Sequence, residues 1–403
     1  MTLTRLLFAS VHGYVDPASG AAWATRDILE LLSAHGVECR AVSTGILSYE
    51  REMPLEPVLE ALKVPVESIA GAPGGACDFE LAGVQVTLVR TASSRIGIAP
   101  DPEEARAFLE HAERALDRNR PQVLLTYGGH PANLALMASA RRRGIPVAFH
   151  LHNFAYEGRG TFGDASAVIV PSEYCRRQYV RRLGLESTAI PSPLMPGRVV
   201  APGREPRYLT FINPQRAKGA AVVARIAAEL DVRRPDIPIL VVEGRETADA
   251  LAGVRMDLSE LRNLHRVPNT PNPRAIYRIT RALLVPSLVR ETFGRVAAEA
   301  MANGIPVLAS DRGALPETLG DAGFLFTIPG RCTPTSEEIP TPREVEPWLA
   351  TIERLWDDAV WEEVHKARAL ESARRWAPDL MAGQYLAFFN ALTSGSECPH
   401  ASN

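Results

Sequence analysis

Short apolar runs alternate along this chain with longer stretches whose apolar residues recur at helical spacing. Residues 5–10, Arg5-Leu-Leu-Phe-Ala-Ser10, read as a buried strand, and a loop from His12 to Gly20 follows. Residues 21–35 carry Ile28, Leu31 and Leu32 on one face and stop at Gly36, which predicts a helix; 39–43 is the next strand. Residues 44–75, rich in Pro and Gly, yield only an amphipathic piece at 58–62. A hairpin is predicted over 79–89 with its turn at Ala82-Gly83, then an acidic-starting helix at 102–119. Strand 123–127 ends in Gly128-Gly129-His130-Pro131 and leads into a helix at 132–143; strand 146–151 delivers His152, Asn153 and Phe154; strand 167–170 precedes a helix ending at 183. Residues 191–207 hold Pro191, Pro193, Pro196, Pro202 and Pro206 and read as a linker. The alternation then restarts: strands 208–212, 239–242, 264–267, 282–285, 307–309 and 323–326 are interleaved with helices at 220–230, 273–279 and from Gly294 to Asn303-Gly304. Helices at 343–356, 360–376 and 379–392 close the chain, the last with Met381, Tyr385, Leu386 and Phe389 on one stripe, and 394–403 reads as a disordered tail. Strand–helix alternation of this kind predicts parallel sheets, here in two domains.

The second half is organised around residues 285–304. A strand breaks at Pro286-Ser287, a loop carries Glu291-Thr292-Phe293-Gly294, and a helix of good formers follows, with Glu299 about five residues in. A loop at a strand's carboxyl end that opens a helix offers amide N–H groups and a positive dipole end to an anion such as phosphate. Glu299 lies roughly 7 Å along the helix from its start, a distance that suits a ribose beyond a bound phosphate. A carboxylate is a good acceptor for two ribose hydroxyls. Singly, such acids are ordinary solvated residues; the loop between Glu291 and Glu299 sets them apart.

Pro286-Ser287, Glu291-Thr-Phe-Gly294 and Glu299-Ala-Met-Ala-Asn-Gly-Ile-Pro-Val307, followed by Asp311-Arg-Gly-Ala-Leu-Pro-Glu317, resemble the E-x7-E signature of glycosyltransferase family 4, retaining enzymes of the GT-B fold. More weakly, the resemblance extends over nearly the whole chain. It implies two Rossmann-like domains facing across a cleft, residues 1–195 on the acceptor side and 208–375 for the nucleotide-sugar donor, with a crossover helix at 376–392 returning to the first. It implies transfer of a sugar from a nucleoside diphosphate donor to an acceptor hydroxyl, with Glu291 on the donor sugar, Glu299 on the ribose, Lys218 on the diphosphate, and the loop amides of Thr292, Phe293 and Gly294 beside it. A glycine-rich loop near the donor diphosphate corresponds to Gly20 and Ala21. A His following the strand at 146–151 lines the family's cleft, which points to His152; His150, on the same sheet face by alternation, competes for the role. Family members carry an Arg five residues before the Lys, where this chain has Asn213, and Arg216 is the candidate to replace it.

Composition narrows the field. Lys and Arg number 44 against 47 Asp and Glu in 403 residues, a formal charge of −3 that gives no basic excess for nucleic acid. Arg176, Arg177, Arg181 and Arg182 crowd one predicted helix; most such runs are solvated faces, and a membrane-surface or anionic-acceptor contact is the alternative. Five scattered cysteines without a CxxC fit a reduced cytoplasmic setting, and no apolar run has the length of a membrane span. The N-terminal residues read as a strand rather than a signal peptide. No G-x-G-x-x-G fingerprint follows the first strand, against a nicotinamide dehydrogenase, and no D-x-D occurs, so metal-independent chemistry without a cofactor is expected. The alternatives are a GT-B epimerase or nucleotide-sugar hydrolase, and a non-catalytic nucleotide-sugar binding protein.

Overall fold

The computed structural model of the chain describes residues 2–64, 72–245, 247, 261–270 and 272–395. Most of the tail expected to be disordered, from residue 396 on, lies outside that range. The chain divides into two compact units, Met1–Pro193 with Pro378–Asn403, and Leu194–Ala377.

In the first unit the elements are β1 (Arg5–Ser10), α1 (Gly20–Ala34), β2 (Glu38–Thr44), α2 (Glu56–Ala61), β3 (Ala76–Leu81), β4 (Val84–Val89), α3 (Pro102–Asn119), β5 (Val123–Thr126), α4 (Pro131–Arg142), β6 (Val147–His150), β7 (Ala167–Val170), α5 (Glu173–Leu183) and β8 (Thr188–Ala189). They form one sheet in the order β3-β4-β2-β1-β5-β6-β7-β8, parallel except for the β3–β4 hairpin. Ala82 (φ 50°) and Gly83 (φ 79°) turn that hairpin with two left-handed residues, the combination that matches strand twist. Strand order reverses between β1 and β5, so the loops after these two strands border a crevice at the carboxyl ends.

The second unit contains α6 (Pro196–Val199), β9 (Tyr208–Ile212), α7 (Ala220–Arg233), β10 (Ile239–Val242), β11 (Leu264–Val267), α8 (Pro273–Ile279), β12 (Thr280–Val285), α9 (Arg295–Ala302), β13 (Val307–Ser310), α10 (Leu315–Leu319), β14 (Phe324–Phe326), α11 (Pro342–Asp357) and α12 (Ala359–Ala373). Its sheet is all parallel in the order β11-β10-β9-β12-β13-β14. Counted within the unit this is third, second, first, fourth, fifth, sixth: the doubly wound arrangement, with its reversal between β9 and β12. Leu209, Phe211 and Leu284 pack under α7 and α11 on one face, and Leu283, Val285 and Val307 under α9 on the other.

Residues 194–207 differ from their reading as a linker. Leu194, Val199 and Ala201, between the prolines, are buried in the core that holds α9. Asn303 accepts from the Ala201 amide at 2.8 Å and donates to the Val199 and Glu299 carbonyls. Arg204 donates to the Asn303 and Thr280 carbonyls, closing the carboxyl end of α9. The prolines set an extended path, but the apolar residues between them dock it.

The final helix, α13 (Pro378–Ser394), belongs to the first unit. Met381, Tyr385, Phe388 and Phe389 are buried, Asn390 accepts from the Leu3 amide, and the Tyr385 hydroxyl donates to the Pro191 carbonyl at 3.2 Å. Four of the cysteines, Cys39, Cys77, Cys175 and Cys332, are buried free thiols. Among the described residues no helix is long and apolar enough to cross a membrane.

Candidate functional site

The switch point of the second unit is built by close backbone contacts. Gly219 (φ 94°) lies against the Pro286 carbonyl, where a Cβ would stand 2.0 Å from that oxygen. The Ala217 carbonyl accepts from the Leu288 and Val289 amides, so the loops after β9 and β12 are joined directly. Gly313 (φ 72°) lets the loop after β13 run against Glu291, where a Cβ would meet the Glu291 nitrogen at 2.2 Å. The Ser310 hydroxyl donates to the Ser287 carbonyl and Arg312 to the Leu288 carbonyl. The loop that carries Glu291 is thereby braced from two neighbouring loops.

Lys218 and Glu291 meet in this frame. Lys218 Nζ lies 2.6 Å from Glu291 Oε1, and the Ser287 hydroxyl donates to the same oxygen at 2.7 Å. Both donors converge on Oε1, which leaves Oε2 as the acceptor for a ligand. The ammonium carries three donors, so two remain for another anion. Burial opposes charge on Glu291, whose side chain is 15% exposed, but the Lys218 ammonium and the two hydrogen bonds outweigh it and hold the carboxyl below the usual range. The pair's stabilisation is therefore present above the ordinary carboxylate range and is lost only as pH falls through the depressed value.

Gly294 (φ 85°) turns the chain into α9, with a Cβ-sized space closed by Leu315. The first intrahelical bonds run from the Ala297 and Ala298 amides to the Gly294 carbonyl, so the preceding amides have no helical acceptor. Phe293 packs on Trp376 at 5.5 Å and is core, leaving its backbone alone to serve the loop. Thr292 is half-buried beside it.

Glu299 is buried and held at both oxygens: Arg295 Nε donates to Oε1 at 2.6 Å and the Tyr277 hydroxyl to Oε2 at 2.7 Å. Sequence reasoning missed both donors. The four-residue spacing of Arg295 and Glu299 was a usable signal, whereas Tyr277, on another helix, gave none.

Arg216 Nη1 donates to the Ser336 carbonyl at 2.8 Å. Asn213 is left-handed (φ 63°) at the end of β9, its side chain donating to Gln215 at 3.3 Å and packed where Gly244 has no Cβ. In the first unit, Gly20 begins α1 with open space around it, Ala21 is half-buried, and the Ser19 side chain caps the helix by accepting from Ala22. His152 lies edge-on to Tyr127 at 5.1 Å, and its ring centre is 3.9 Å from that of His150. His150 is fully buried, which pushes its pKa down to about 3, while His152 is half-buried. His12 stacks on Tyr127 at 5.7 Å, so the loops after β1 and β5 meet through an imidazole and a phenol.

Two family models match the chain: "Glycosyltransferase Family 4" over residues 18–194 and "Glycosyl transferases group 1" over residues 199–335. A phosphatidyl-myo-inositol mannosyltransferase of Mycolicibacterium smegmatis is 34% identical over 175 residues, covering 40% of this chain and 44% of that protein. A D-inositol 3-phosphate glycosyltransferase of Corynebacterium aurimucosum is 31% identical over 154 residues, covering 36% and 33%. The chain thus spans less than half the length of these curated relatives. Among solved structures, sucrose-phosphate synthase from Thermosynechococcus elongatus superposes with a TM-score of 0.67 at 17% identity, covering 98% of this chain and all of that one. Anabaena HepE in complex with UDP and glucose gives 0.65 at 16%, covering 97% of this chain and all of that one. Two Rossmann-like parallel-sheet units, the last helix of the chain belonging to the first, are the GT-B architecture. Within it, the chain belongs to the family 4, group 1 glycosyltransferases.

Proposed function

We propose that this chain transfers a sugar from a nucleoside diphosphate sugar to an acceptor hydroxyl, with retention of anomeric configuration and without a metal ion. The observation that carries the reading is the Lys218–Glu291 pair at the β9/β12 switch point, ahead of α9. Bond cleavage at the anomeric carbon leaves charge on the departing diphosphate and partial positive charge on the sugar. The remaining Lys218 donors and the first-turn amides of α9 supply a fixed positive field to the first. Glu291 Oε2 offers the sugar an acceptor. Glu299 receives the ribose hydroxyls, a contact made equally in free nucleotide and donor. On the first unit, His152, which is half-buried, is assigned the sugar role ahead of the fully buried His150.

The names of the curated relatives attach inositol-bearing acceptors to those proteins, and a ring polyol is the first acceptor class to try here. The test is a panel of UDP- and GDP-hexoses against myo-inositol and its 3-phosphate, each with and without EDTA. Transfer that survives EDTA is the expected result. Loss with EDTA and recovery with magnesium or manganese contradicts the metal-free reading, and absence of any donor binding contradicts the whole. One observation favours a second reading: Asn213 stands where the family has Arg, and Arg216 is engaged by Ser336. Donor binding without turnover against any acceptor would make the chain a nucleotide-sugar binding protein.

A further inference from the structure

The carboxylate of Glu299 is held more tightly than a surface acid needs. Its side chain is 10% exposed, and each oxygen already accepts one hydrogen bond, from Arg295 on its own helix and from Tyr277 on α8. A carboxylate has about four lone-pair sites, so one acceptor position remains on each oxygen. Two donors on separate elements also fix the plane of the group. What such an acceptor matches is a pair of hydroxyls on adjacent carbons, each donating to one oxygen. A single hydroxyl uses only one of the two remaining positions and so forgoes one hydrogen bond to a charged group.

From this we infer that Tyr277 is a positioning residue whose hydroxyl orients Glu299 for the vicinal diol of a ribonucleotide, and so sets ribo- over deoxyribonucleotide preference. The inference rests on the donor-site reading of the preceding section. Tyr277 is fully buried, and burial together with the Glu299 charge holds its pKa far above the ordinary range, so its hydroxyl remains a donor throughout the working pH range. Arg295 fixes the other oxygen and balances the charge. Without the Tyr277 donor the carboxylate turns about its last bond, and the match to two adjacent hydroxyls is lost while a single hydroxyl is still accommodated.

The test is Tyr277→Phe, which keeps the ring and its packing. Calorimetry compares UDP with 2′-deoxy-UDP, and GDP with 2′-deoxy-GDP, in wild type and variant, with thermal melting as the folding control. Wild type is expected to prefer the ribonucleotide; the variant weakens ribonucleotide binding by about five- to twentyfold and the deoxy form by much less, narrowing the preference. In turnover the loss falls on donor KM rather than kcat. Equal losses for both nucleotides, or none, overturn the positioning role and leave Tyr277 as core. Should Tyr277→Phe fail to fold, Arg295→Leu carries the same comparison from the other oxygen. Failure of wild type to bind either ribonucleotide removes the donor-site reading itself, an outcome distinct from equal losses.

Discussion

Glu291→Gln is expected to lower kcat by about two to three orders of magnitude, the scale for removing one preorganised group aimed at transition-state charge. The carboxamide keeps the size of the side chain but not its charge, so it neither balances Lys218 nor stabilises a developing cation on the sugar. Contacts that strengthen in the transition state show in kcat rather than in ground-state binding. Steady-state kinetics at saturating donor read the effect. A kcat within a few fold of wild type would detach Glu291 from the chemistry and leave it as a structural partner of Lys218.

The second large effect is that of Lys218→Ala on diphosphate binding. Loss of charge-assisted hydrogen bonds is worth about 1–3 kcal/mol, or roughly 5- to 150-fold in Kd. The same variant removes the cation that keeps Glu291 ionised against burial. The carboxyl pKa then rises, and an acid limb in the pH–rate profile moves toward neutrality; in wild type the depressed value keeps that limb below the ordinary carboxylate range. Unchanged nucleotide affinity together with an unmoved profile would make Lys218 an ordinary surface lysine.

These expectations rest on features that were unequally visible in the sequence. The strands of both units other than the two-residue β8 were legible because short apolar runs ended in turn residues, and α3 is found over the residues its acidic start and helical spacing indicated. Glu291 and Glu299 stood out because the motif is local: one loop and the helix after it. Lys218 could be placed at a strand end, but its contact with Glu291 spans 73 residues of chain and depends on the β9/β12 adjacency, which no local pattern encodes. Tyr277 was read as part of a short helix, although its hydroxyl reaches Glu299 from another element. Arg216 shows the reverse limit. Its place in the loop fitted a phosphate ligand, and its guanidinium is held by a carbonyl 120 residues away. The proline-rich stretch before β9 misled because prolines signal an extended chain and do not reveal that Leu194, Val199 and Ala201 between them are buried.

In the proposed reaction two glutamates on one loop and helix divide the donor, Glu299 taking the nucleoside and Glu291 the sugar. Calorimetry of the cognate nucleoside diphosphate with Glu299→Ala and Glu291→Gln tests it most directly, because that ligand carries the ribose but no sugar to be transferred. Affinity is predicted to fall by about tenfold or more in Glu299→Ala, the scale of hydrogen bonds to a charged group, and to stay near wild type in Glu291→Gln. Equal losses in the two variants, or a loss confined to Glu291→Gln, would contradict the division.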